Sequence, residues 1–269
     1  REAVDPRLAV SEAAFRRGTF GLARTQADAA LSQLGVRTDR LGDWPRPAAV
    51  ALVLRAFAAT WQGDLDAARA DIGIGRTVTS PWPELRAQID YLDGLCHYYA
   101  GELEVARRSF EALVAEGVAL AVTAAAWAGL GLCAQRGGDL AAARRAYDES
   151  RRIAEHAGDR ARVLNMTMNL ATLDHEAGDL GLALDGYNRV VVVAMRLGND
   201  GARVRALVNR GNLHWGLGLV DEAQSDLEAA LPELERTGNA YLEGNVTCVM
   251  AELARASGRL QQAQQWISR

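Results

Sequence analysis

Between residues 140 and 153 the side chains of Leu140, Ala143, Ala146, Tyr147 and Ile153 fall on one face of a helix, and Arg144, Arg145, Glu149 and Arg151 fall on the other. Spacing of three and four positions predicts an amphipathic helix that buries one stripe. The same pattern returns along the chain. Gly138-Asp139-Leu140, Ala143 and Tyr147 reappear 40 residues later as Gly178-Asp179-Leu180, Ala183 and Tyr187. Extended in both directions, the register places glycines at Gly63, Gly101, Gly138, Gly178, Gly218 and Gly258, at intervals of 38, 37, 40, 40 and 40. A fixed period in this range predicts a repeat array in place of a single globular core.

Three further positions keep the register. Seven residues before each glycine stands a small residue: Ala56, Gly94, Gly131, Ala171, Gly211 and Ala251. Five residues after it come Ala68, Ala106, Ala143, Ala183, Ala223 and Ala263, and nine after it Ile72, Phe110, Tyr147, Tyr187, Leu227 and Ile267. This predicts an antiparallel helix pair. Small residues let the two backbones approach, the glycine ends the first helix in a positive-φ conformation, and the large residue fills the groove to the next pair.

In chain order, residues 1–47 read as an atypical N-terminal pair, with Ser11, Gly18, Ala23 and Ala27 in repeat positions, followed by a linker. Residues 35–47, with glycine, two prolines and turn formers, break the helical pattern, and Trp44 is placed to cover apolar surface on the adjoining repeat. Residues 48–83 form a second pair with a loop over 73–83. Residues 84–269 form the regular part, as pairs 84–116, 120–156, 160–197, 200–237 and 240–269, all in one continuous repeat domain. The chain opens on Arg1, which reads as a piece of a longer protein. The last helix ends soon after Ile267 with no polar cap, so this end is expected to continue or to pack on something.

Trp127, Leu130, Gly131, Gly138, Ala143 and Tyr147 together resemble the signature of the tetratricopeptide repeat. The resemblance implies an all-α, right-handed α-solenoid of antiparallel helix pairs. A period near 40 in place of the usual ~34 implies lengthened helices. The long form resembles repeats attached to bacterial signalling proteins: multidomain kinases, signalling ATPases and large transcription regulators. It also resembles the peptide-binding repeats of quorum-sensing regulators.

Composition narrows the chemistry. No lysine occurs; all 30 basic residues are arginine, which removes enzymes that depend on a Walker, Schiff-base or kinase lysine. A net charge of −4 offers no polyanion signal, so nucleic acid is not an expected partner. No signal peptide or membrane-length apolar run appears, and a cytoplasmic location is expected. Cys96, Cys133 and Cys248 lack metal spacing and are expected as buried small hydrophobes. His97 and His214 fall at a position usually filled by a packed tyrosine, and His156 lies near a helix end. No metal site and no cofactor are implied. Asp174-His175-Glu176 is no catalytic triplet, because adjacent helical residues point in different directions.

In a stack of helix pairs the first helices line the concave surface. Projecting the repeat puts Asn165, Met168, Asn169, Thr172 and His175 there, then Arg205, Val208, Asn209, Asn212 and Trp215, then Asn245, Cys248, Val249, Glu252 and Arg255. The candidate peptide- or protein-binding groove is therefore Asn165, Asn169, Thr172, His175, Arg205, Asn209, Asn212, Trp215, Glu252 and Arg255. Asparagine amides can read an extended backbone, and arginine can pair with a carboxylate. The competing reading is that these asparagines bond neighbouring helices. Phe57, Tyr91 and Tyr98 form a second, apolar candidate stretch, unless they are core or covered by the first pair.

The expected function is non-catalytic: a protein- or peptide-binding sensor or scaffold arm of a larger signalling protein, with neither membrane nor nucleic acid as partner. Self-association through terminal repeats is a further expectation. The alternative is a structural or oligomerisation arm that regulates an attached catalytic domain without a groove ligand.

Overall fold

A computed structural model describes residues 6–16, 19–36, 44–237 and 240–268. Every regular element among them is a helix, in the order α1 (Pro6–Arg16), α2 (Phe20–Gln33), α3 (Arg46–Gln62), α4 (Leu65–Val78), α5 (Pro83–Tyr99), α6 (Leu103–Glu116), α7 (Leu120–Arg136), α8 (Leu140–His156), α9 (Arg160–Glu176), α10 (Leu180–Leu197), α11 (Asp200–Gly216), α12 (Val220–Thr237), α13 (Ala240–Ala256) and α14 (Leu260–Ile267). The architecture is an all-α solenoid of helix pairs. The anchor at Gly18 and residues 37–43 of the expected linker lie outside the described residues.

The turn inside each pair follows from its glycine. Gly138 has φ +83°, a region that residues with a Cβ rarely adopt but that is open to glycine. There its N–H donates to Gln135 O at 3.0 Å, and the Asp139 N–H donates to Ala134 O at 2.9 Å, so the last carbonyls of α7 are satisfied. Asp139 then opens α8, its Oδ1 accepting from the Ala142 N–H at 2.8 Å. Gly63, Gly101, Gly178, Gly218 and Gly258 all share the positive φ.

The chain divides into two compact units, Arg1–Met166 and Thr167–Arg269. In the first, Phe110 is fully buried between two glycines. A Cβ on Gly94 of its own pair would lie 2.7 Å from the ring, and one on Gly129 of the next pair 2.6 Å. The ring thus occupies the space of two missing side chains and joins consecutive pairs. Trp44 is buried with Leu8, Ala27, Leu31, Leu52 and Val78, covering α2, α3 and α4.

One expected break closes up. Helix α4 continues through Gly73 and Gly75 to Val78, so the connection to α5 is only Thr79–Trp82. At Gly75 a Cβ would meet Ile89 Cδ1 at 2.5 Å. Close packing on α5 makes the glycine useful within the helix, and this outweighs its low helix propensity.

In the second unit Val204, Leu207, Val208, Leu227, Leu234, Val246, Met250 and Leu253 form the core. The large residue of each repeat is buried at Ile72, Phe110, Tyr147, Tyr187 and Leu227, but Ile267 is 76% exposed. No helix follows α14 among the described residues to cover it.

Candidate functional site

Within the second unit, α9, α11 and α13 are the successive first helices. Asn169, Thr172 and His175 stand half-buried on α9, and Arg205, Asn209, Asn212 and Trp215 half-buried on α11; Glu252 and Arg255 are exposed on α13. Asn165 is half-buried on the part of α9 that belongs to the first unit. Two neighbours expected to face outward do not: Met168 and Val208 are buried, because the adjacent first helix covers that row. On α13 the same row is open. Cys248, expected as a buried thiol, is exposed there, whereas Cys96 and Cys133 are buried.

Several of these side chains bond across helices. Asn212 donates through Nδ2 to Asn245 Oδ1 at 3.0 Å, and Trp215 Nε1 donates to Glu252 Oε2 at 3.0 Å. Asn209 Nδ2 lies 3.8 Å from Met168 Sδ, a weak acceptor. The Asn212 Oδ1 is buried and has no hydrogen-bond partner among the described residues, so only half of that amide is satisfied there. Thr172 accepts from the Tyr187 hydroxyl at 3.4 Å, and the His175 ring meets the Tyr187 ring edge-on at 6.5 Å between centroids. Burial pushes the Tyr187 phenol up from its ordinary value.

The apolar candidates in the first unit are packed against one another. Phe57 meets Phe15 of α1 edge-on at 5.3 Å and Tyr91 at 6.3 Å, and Tyr91, buried, reaches Phe110 at 5.6 Å. The first pair thus covers Phe57. Tyr98 is half-buried under the Arg136 guanidinium, 5.3 Å from its ring centroid.

A charged cluster not anticipated from the sequence lies behind α11. Arg210 pairs with both carboxylate oxygens of Asp226 on α12, its Nε at 2.8 Å from Oδ2, and Nη1 donates to Asn188 Oδ1 on α10 at 2.5 Å. His214 Nδ1 sits 3.1 Å from Asp226 Oδ2. Arg55 repeats the arrangement in the first unit, with Asp71 at 2.9 and 2.6 Å and Asp28 at 3.0 Å. Both arginines stand eight residues before an anchor glycine, and both aspartates eight after it. That coincidence was visible in the sequence.

Residues 122–192 match the tetratricopeptide repeat family. The fold is that of the tetratricopeptide repeat. Solved structures with this fold align over nearly the whole chain. NprR in complex with its cognate peptide NprX is 14% identical, with a TM-score of 0.63, over 100% of this chain and 77% of NprR. The apo form of RapI is 12% identical, with a TM-score of 0.61, over 97% of this chain and 93% of RapI. A signal transduction ATPase with numerous domains from Pyrococcus horikoshii, which carries a tetratricopeptide repeat sensor, is 11% identical, with a TM-score of 0.55, over 97% of this chain and 40% of that protein. No curated protein matches the sequence. Among the described residues, no helix of these repeats is long and apolar enough to cross a membrane.

Proposed function

We propose that this chain is a non-catalytic tetratricopeptide-repeat module that binds a peptide or protein segment, as the sensor or scaffold arm of a larger bacterial cytoplasmic signalling protein. The observation that carries this reading is the set of half-buried polar side chains on successive first helices: Asn169 on α9, then Arg205, Asn209 and Asn212 on α11, with one half of the Asn212 amide lacking a partner among the described residues. Amides held by a rigid helix suit the alternating donors and acceptors of an extended backbone. NprR, which shares the fold, was solved with a peptide bound.

A structural arm is the second reading. It is favoured by the bonds Asn212–Asn245 and Trp215–Glu252, which use groove residues to tie one first helix to the next. Selection of a random peptide library on the intact chain separates the two. The comparison is a variant carrying Asn169→Ala, Arg205→Ala, Asn209→Ala and Asn212→Ala. A ligand-binding groove yields peptides that bind the variant at least about tenfold more weakly, a loss of ~1.4 kcal/mol, with circular dichroism unchanged. Peptides that bind both equally, or no enrichment, transfer the function to the structural arm.

A further inference from the structure

On α8, in the first unit, several surface charges pair along the helix: Arg152 with Glu149 and Arg151 with Asp148, at 2.6 and 2.8 Å. On α10 the exposed Asp185, Arg189 and Arg196 form no ion pair among the described residues, nor do the exposed Asp221 and Glu222 at the start of α12. Between the charges of α10 lie exposed apolar side chains, Val192 at 47% and Met195 at 65%. The two helices belong to one outer layer, since Arg210 bonds to Asn188 of α10 and Asp226 of α12.

The charges are also sorted along the helix. The first half of α10 carries Asp185, and its second half carries Arg189 and Arg196 beside Val192 and Met195. Reversed end to end, such a face is complementary to itself. We propose that the outer face of α10 and α12 docks on the same face of a second copy of this chain, with the two α10 helices antiparallel about a two-fold axis. Such isologous contacts require self-complementarity of this kind. Centring the crossing between Arg189 and Val192 buries the Val192 and Met195 side chains and sets Asp185 opposite Arg196 of the partner subunit. Along one helix these two positions are ~16 Å apart, too far to pair within a chain. The opposite charge that each lacks is thereby supplied in trans.

Sedimentation velocity of the intact chain over a range of micromolar concentrations tests this. The expected species has twice the 28.9 kDa chain mass, and rising salt shifts it toward monomer as the exposed charges are screened. Val192→Asp, at an exposed position that leaves the core intact, converts it to monomer. Asp185→Arg and Arg196→Asp each weaken the dimer at least about tenfold, or ~1.4 kcal/mol, because each sets like charges opposite one another. The double variant restores it. A wild-type chain that stays monomeric at every concentration, a Val192→Asp variant that stays dimeric, or a double variant no stronger than the singles overturns the proposal. Circular dichroism confirms that each variant is folded.

Discussion

A Cβ placed on Gly131 would lie 2.4 Å from the Tyr147 ring, which is completely buried across the pair from it. The two residues were written into the repeat sixteen positions apart, and each is the size it is because of the other. Gly131→Ala is therefore expected to overpack the pair and lower stability by ~1–3 kcal/mol, seen as a lower thermal midpoint with helix content kept. Tyr147→Phe, which keeps the ring and loses the hydroxyl bond to Gln135 at 2.7 Å, is expected to cost ~1 kcal/mol. Combining Gly131→Ala with Tyr147→Leu should recover part of the loss, since the smaller side chain frees the space.

Arg210 and Asp226 give the second prediction. Asp226 is buried, and its carboxylate is held from both oxygens by one guanidinium. Arg210→Met leaves that carboxylate without its main partner and is expected to destabilise the second unit toward the lower end of ~3–5 kcal/mol, because His214 remains nearby. Replacing both residues, Arg210→Met with Asp226→Leu, should cost much less than the single change. Thermal unfolding of the wild type and the two variants measures the difference, and equal losses for the single and the double would show that the pair contributes packing alone.

The thiols supply a pH-dependent readout. Burial pushes the Cys133 thiol up to about 11 and raises that of Cys96 as well, while Cys248 is exposed. Because the thiolate is the nucleophile, the two buried cysteines hold almost none of it near pH ~8, and their thiolate fraction grows only as pH rises toward the raised values. A disulfide reagent should modify one thiol of the folded chain rapidly, and Cys248→Ser should remove that phase. The other two should react on unfolding. Two fast thiols in the wild type would show that one of the buried sites opens readily.

The sequence by itself determined the helix pairs and their turns. A glycine that must adopt positive φ, an alanine at every close approach and a large side chain nine residues past the turn are local demands that repeat in a one-dimensional pattern. The aromatic and aliphatic residues of that pattern are buried wherever a further pair covers them. The tertiary structure decided what depends on neighbours distant in sequence. It carried α4 through Gly73 and Gly75, with Ile89 of α5 filling the space beside Gly75, and it buried Met168 and Val208 under the adjacent first helix while leaving Cys248 open. It also joined Asn188, Arg210 and Asp226 from three helices into one charged cluster. Periodicity reports which face of a helix turns inward, but which residues on that face meet, and which charges find partners, is set by the helices that pack against it.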